Sequence, residues 1–171
     1  KIRHLAVRHE HGRLAGVISA RDLLRLRAGA AIDLEAEIDE GLVTVFQDAN
    51  IITIRLAGAG MFPSGSDVLR PEFDEKLGRV AAALAETSGP VIVAGHSDSQ
   101  PIRSARFPSN MHLSLARAES VRRTLEQKLG DGARLSAEGR SDKEPIADNA
   151  TAEGRAINRR IEILLVREQD Q

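Results

Sequence analysis

Val91-Ile92-Val93-Ala94 runs without a polar residue into Gly95-His96-Ser97-Asp98-Ser99-Gln100-Pro101. Four consecutive apolar residues closed by glycine and polar turn formers read as a strand buried on both faces. An α/β fold places its ligand loop at the carboxyl end of such a strand, so Asp98 stands where chemistry is expected. A long polar loop then spans residues 95–110. Beyond it, Leu113, Ala116, Val121, Leu125 and Leu129 predict a helix over 113–129 with one inward face. Upstream, Gly89-Pro90 stops another helix, capped by Asp67, whose apolar face is Val68, Phe73, Leu77, Val80, Ala81 and Leu84. Residues 58–65 form a glycine-rich loop. Residues 42–46 and 51–56 alternate apolar with polar around a four-residue turn, the pattern of a hairpin. Downstream come a strand at 134–138, a loop at 139–158 with a short helix at 151–157, and a closing strand at 161–166. The order predicts an α+β fold, a two-layer α/β sandwich in which a mixed sheet carries two main helices on one face.

Composition narrows the function. No cysteine occurs among the 171 residues, so disulfides, thiolate metal sites and cysteine nucleophiles are excluded. Phe46, Phe62, Phe73 and Phe107 are the only aromatic residues, too few for a platform that stacks bases or sugars. Residues 1–31 hold seven Lys/Arg against two Asp/Glu, and residues 32–171 hold 17 against 23. An acidic main body argues against a nucleic-acid binder. No apolar run is long enough to cross a bilayer and no signal-peptide pattern opens the chain, so contact with a membrane by this segment is not expected.

Three segments carry the polar chemistry: residues 95–101; Ser109-Asn110-Met111-His112-Leu113-Ser114-Leu115-Ala116-Arg117; and the arginine-dense stretch 149–160. In a helix, Asn110, Ser114 and Arg117 share a face. His96 reads as a structural hydrogen-bonder, since no carboxylate–histidine spacing supports zinc. His4, His9 and His11 read as a solvated face. A hydrolase would need a G-x-S-x-G turn or a metal-binding triad, and neither is visible. No metal, cofactor or catalytic residue is expected.

The strings VIVAGHSDSQPI (91–102), SNMHLSLARAESV (109–121), RLSAEGRSDKEP (134–145) and DNATAEGRAINRRIEI (148–163) together resemble the OmpA-like peptidoglycan-binding domain found in OmpA, Pal and MotB tails. The likeness covers residues 42–166. The insertion QPIRSARFPSN (100–110) and the segment GAGMFPSGS (58–66) resemble the C-terminal extension of the DotU/TssL-type inner-membrane protein of type VI secretion. The MotB flagellar stator tail, with a similar Phe-Pro-Ser-Asn step, is the alternative. Ser97 stands where the family more often has threonine, and Ser99 where asparagine is usual.

The resemblance implies non-catalytic binding to the diaminopimelate of the peptidoglycan stem peptide. The far end of that residue carries an ammonium and a carboxylate on one carbon. Asp98 can accept from the ammonium, and Arg117 can grip the carboxylate in its two-donor fork. Asn110, Ser99, Ser114 and the first turn of the second helix can add neutral donors. Arg155 or Arg159 is expected to face the site, while Asn158 and Arg160 brace the loop or sheet edge. The implied setting is periplasmic, tethered to the inner membrane by an upstream segment and partnered by other type VI secretion membrane-complex subunits. A homodimer stays open, since no exposed apolar stripe demands one.

The opening residues differ. Residues 3–7 and 11–24 resemble the second half of a CBS motif, with Ser19 and Asp22 at its ribose-contacting positions. Strands are expected at 4–7 and 14–18, then a helix capped by Ser19 and carrying Leu23, Leu24 and Leu26. The partner half-motif is absent, so an adenosyl-nucleotide sensor is the weaker reading. Residues 32–41 read as a linker and 167–171 as a tail.

Overall fold

The computed structural model describes residues 4–8, 14–19, 43–48 and 50–166. Strands β1 (His4–Arg8) and β2 (Leu14–Ser19) pair antiparallel as a two-stranded sheet, as the sequence predicts. The helix after Ser19, the linker and the tail lie outside the described residues.

The main body is a five-stranded sheet with three helices. Its strands are β3 (Val43–Asp48), β4 (Ile51–Ala57), β5 (Val91–His96), β6 (Leu135–Ser141) and β7 (Arg160–Val166). The spatial order is β3-β4-β7-β5-β6. Only β5 and β6 run parallel; β3–β4, β4–β7 and β7–β5 are antiparallel. Two long helices, α1 (Asp74–Ala85) and α2 (Asn110–Leu129), pack against each other, and α2 lies along β5 and β6. A short α3 (Ala152–Asn158) precedes β7. This is the α+β two-layer architecture expected.

Alternation sorts the side chains. Val43, Val45, Ile52, Ile54, Leu56, Val91, Val93, Ile161, Ile163 and Leu165 are buried in one core with Leu77, Val80, Leu84, Ala118, Val121 and Leu125 of the helices. Each such aliphatic burial is worth about 1.5–3 kcal/mol before entropy is subtracted. The opposite parity of the central strands carries Arg55, His96, Arg160 and Glu162, and there His96, Arg160 and Glu162 are also buried.

Element boundaries shift from the sequence reading for local reasons. α1 starts at Asp74, after a 3-10 turn at Pro71–Phe73, because proline in the first turn is pre-set for helix entry. Asp67 therefore caps nothing, and Val68 is exposed. β5 continues through His96, and α2 begins at Asn110, three residues before the apolar periodicity. Ser114 and Ala118 take inward positions on α2, while Ala116 is half-buried.

The close approach of α2 to the sheet depends on glycine. A β-carbon at Gly95 would lie 2.0 Å from the Ser114 carbonyl oxygen, and one at Gly139 would lie 2.9 Å from that of Met111. Gly95→Ala must therefore push α2 outward, and a loss of at least about 2 kcal/mol in urea unfolding is expected. Gly78→Ala in α1 meets only the end of the Lys128 side chain, at 3.6 Å or more, and is expected to add about 0.5–1 kcal/mol. Similar shifts in the two variants would contradict this packing account.

Candidate functional site

The end of β5 delivers Asp98 into a loop that the rest of the domain ties down. Asp98 Oδ1 accepts from the Gln100 amide at 3.0 Å, and Oδ2 is ion-paired with Arg159. The Asp98 side chain is largely buried, while that of Arg159 is 40% exposed, so the pair lies at the surface with its carboxylate shielded. Arg159 arrives from the opposite side, at the C-cap of α3.

Arg117, two turns into α2, completes the group. Its Nε donates to the Ser66 carbonyl at 2.8 Å and its Nη2 to the Pro63 carbonyl at 3.2 Å, with the guanidinium 5.1 Å from the Phe62 ring centroid. Those bonds occupy the Nε/Nη2 edge of the guanidinium and do not use Nη1. The Arg117 pKa lies below its ordinary value. Burial is the main cause and the Arg159 charge the second, opposed by Asp67 and Asp98. Arg159 thus acts against the charge on Arg117, and Asp98 acts for it.

The remaining predicted residues support this group through the backbone. Asn110 uses its whole amide on the loop: Oδ1 accepts from Ile102 N at 3.1 Å, and Nδ2 donates to the Asp98 and Gln100 carbonyls at 3.1 and 2.9 Å. Ser114 is buried, donating to Met111 O at 3.0 Å and accepting from Ser141 N at 3.2 Å. The Ser99 amide donates to Asn149 Oδ1 at 3.3 Å. Arg155 donates to the Asn149 and Ala150 carbonyls, so of the two arginines only Arg159 meets Asp98. Asn158, fully buried, accepts from the Ile146 and Ala147 amides and donates to Asn149 Oδ1. It braces the 146–149 loop, as expected, and through Asn149 steadies Ser99.

Beneath the loop lies a cluster that sequence reading missed. Glu162 Oε1 accepts from Arg55 Nε and Arg160 Nε, both at 2.8 Å, and Glu162 Oε2 is 3.3 Å from His96 Nε2. Burial alone would raise the Glu162 pKa, but His96, Arg160 and Arg55 outweigh it and hold the carboxyl far below its ordinary 4.5. Arg160 also donates to Glu144 O at 3.1 Å. In sequence these residues look like the polar half of alternating strands. Only the register, which sets Arg55 opposite Glu162 and Glu162 opposite Ala94, brings them together. Among the described residues no group of three His, Cys, Asp or Glu could hold a metal ion.

A sequence model of the OmpA family matches residues 61–159, more than half of the chain. The chain belongs to the OmpA family. It is similar to motility protein B of Bacillus subtilis, 36% identical over 118 residues that make up 67% of this chain and 45% of that protein. The probable lipoprotein YiaD of Escherichia coli is 36% identical over 124 residues, covering 72% of this chain and 55% of that protein. The chain thus spans about half the length of these curated relatives. Among solved structures, the cell wall anchor of the type VI secretion system from Pseudomonas aeruginosa superposes with a TM-score of 0.75 at 45% identity. That match covers 79% of this chain and 94% of the other. The periplasmic domain of Helicobacter pylori MotB gives 0.69 at 25% identity, covering 74% and 83%.

Removing the Glu162 charge strands the buried guanidinium of Arg160 and the half-buried one of Arg55. Glu162→Gln is therefore expected to cost about 3–5 kcal/mol of stability. Because the folded-state pKa is depressed, the stabilisation is fully present above pH 4.5 and is lost as pH falls towards the folded value. The variant should show a flatter acid limb than the parent in denaturation followed from neutral pH downward. Parallel acid limbs would assign the acid sensitivity to other carboxylates.

Proposed function

We propose that this domain binds peptidoglycan without catalysis, through the diaminopimelate of the stem peptide, and anchors an inner-membrane type VI secretion component to the cell wall. One observation carries the reading: Asp98 is ion-paired with Arg159, and both are near enough to Arg117 for their charges to act on it, which gathers an anion and two cations in one place. The distal end of diaminopimelate is a zwitterion of matching sign. Its ammonium finds Asp98, and its carboxylate finds Nη1 of Arg117, with Arg159 able to turn from Asp98 towards the same carboxylate. Asn110, Ser99, Ser114 and Arg155 act by fixing the backbone around that pair.

Similarity to the type VI cell wall anchor, at 45% identity over 94% of that chain, favours the secretion setting. Its implied partners are the other subunits of the secretion membrane complex, with the domain periplasmic and tethered by an upstream segment. A second reading, a MotB-like flagellar stator anchor, is favoured by the similarity to motility protein B. The two share the ligand and differ in what precedes the domain. A secretion component would carry a DotU-like cytoplasmic part and one membrane helix. A stator would carry a short tail and a membrane helix with an aspartate.

Asp98→Ala is expected to abolish co-sedimentation with purified sacculi while the fold survives, since Asp98 bonds only its own loop and Arg159. Loss of one partner of a desolvated charged contact costs about 2–5 kcal/mol. Undiminished co-sedimentation would sink the reading. A peptide ending in meso-diaminopimelate should bind more tightly than its lysine counterpart, which lacks the distal carboxylate. Equal affinities in calorimetry would take Arg117 out of its role.

A further inference from the structure

Arg117 takes its orientation from a loop that is itself held from across the site. Residues 58–70 fold back on themselves, with Met61 N donating to Gly58 O, Ser66 N to Pro63 O and Arg70 N to Met61 O. This loop supplies both carbonyls that grip Arg117, and the residue following the Ser66 acceptor is Asp67. The Asp67 carboxylate is only 12% exposed; its Oδ2 accepts from Arg106 Nη2 at 3.0 Å, and its Oδ1 lies in ion-pair contact with the same nitrogen at 2.9 Å. Arg106 belongs to the loop between β5 and α2, the same loop that carries Asp98. Its guanidinium rests 5.2 Å from the ring centroid of the buried Phe107.

We propose that Asp67 is a positioning residue for Arg117, clamped by Arg106, and that this bridge fixes the separation of Arg117 from Asp98 by which the two ends of a zwitterion are read together. The inference rests on the reading of the site as a diaminopimelate site. One loop aims the cation and the other carries the anion. Arg55, Arg160 and Glu162 lie on the opposite parity of the sheet and do not bear on Arg117. Asp67 also acts directly, since its charge favours the ionised form of Arg117 against burial and Arg159. The Arg106 side chain is 65% exposed, and an exposed ion pair adds little to stability. The bridge therefore matters for the placement of Arg117 more than for holding the fold.

A ruler of this kind predicts a selective loss. NMR titration of the purified chain with L-alanyl-γ-D-glutamyl-meso-diaminopimelate and with its L-lysine counterpart distinguishes the arms. Asp67→Asn and Arg106→Gln are each expected to weaken the diaminopimelate peptide about tenfold. The weaker lysine peptide, which engages Asp98 alone, should stay within about twofold, and the double variant should be no worse than either single one. The thermal midpoint should move by no more than about 4 °C. Should Asp67→Asn not fold, Arg106→Gln carries the test on an exposed side chain. Unchanged preference in the variants, or equal loss for both peptides, overturns the bridge as a positioning device. Arg117→Ala serves as the reference. If it abolishes preference while Asp67→Asn does not, the bridge alone fails. A parent chain with no preference overturns the diaminopimelate reading, and the bridge with it.

Discussion

The backbone of α2 reaches that of β5 because nothing stands between them at Gly95. Any side chain there would occupy the space of the Ser114 carbonyl. Since β5 ends in the Asp98 loop and α2 carries Arg117, the approach of helix to strand also bears on how near those two residues come. Ser114 reinforces this geometry by accepting from the amide of Ser141, at the end of the neighbouring strand. Ser141 itself has a φ of 54°, an uncommon conformation for a residue with a β-carbon. The turn that leaves β6 is thus tied to the helix that bears the cation.

Around that contact the domain divides its polar groups by depth. The outer layer, Asp98, Arg117 and Arg159, keeps an unequal charge balance and an exposed edge. The deeper layer, Glu162 with Arg55, Arg160 and His96, is enclosed on the opposite parity of the sheet. A buried ion pair is weak evidence of stability in itself, because desolvation opposes the Coulomb attraction. Here it joins β4 and β7 by directional bonds, and brings His96 at the end of β5 within 3.3 Å of the same carboxylate.

The strands and helices were legible because their apolar residues repeat at two or at three to four positions. Asp98 and Arg117 stand out as candidates because they sit in strings with a known family pattern. What escaped the sequence has a common cause. Arg117 is held by carbonyls at positions 63 and 66, and Asp67 by a side chain 39 positions away. Backbone acceptors leave no mark in residue identity, and an aspartate ahead of an apolar run reads as a cap. Glu162 and Arg55 resemble any solvent-facing charges until strand order pairs them. Asn110 reads in sequence as a neutral donor to a ligand, and only the fold shows its amide bonded to Ile102, Asp98 and Gln100 of the loop.

Strand order has one more consequence. β7, the last strand among the described residues, lies in the middle of the sheet, between β4 and β5. Until residues 160–166 are available, the β3–β4 hairpin and the parallel β5–β6 pair have no common neighbour, and their inner edges stay open. Contacts that join positions 51 and 166 make the topology strongly non-local, and such chains fold slowly relative to helical bundles of equal stability. Arg159 enters with the same last segment. The domain therefore cannot assemble piecemeal as it is synthesised: sheet and charged rim are completed together, by the final strand to arrive.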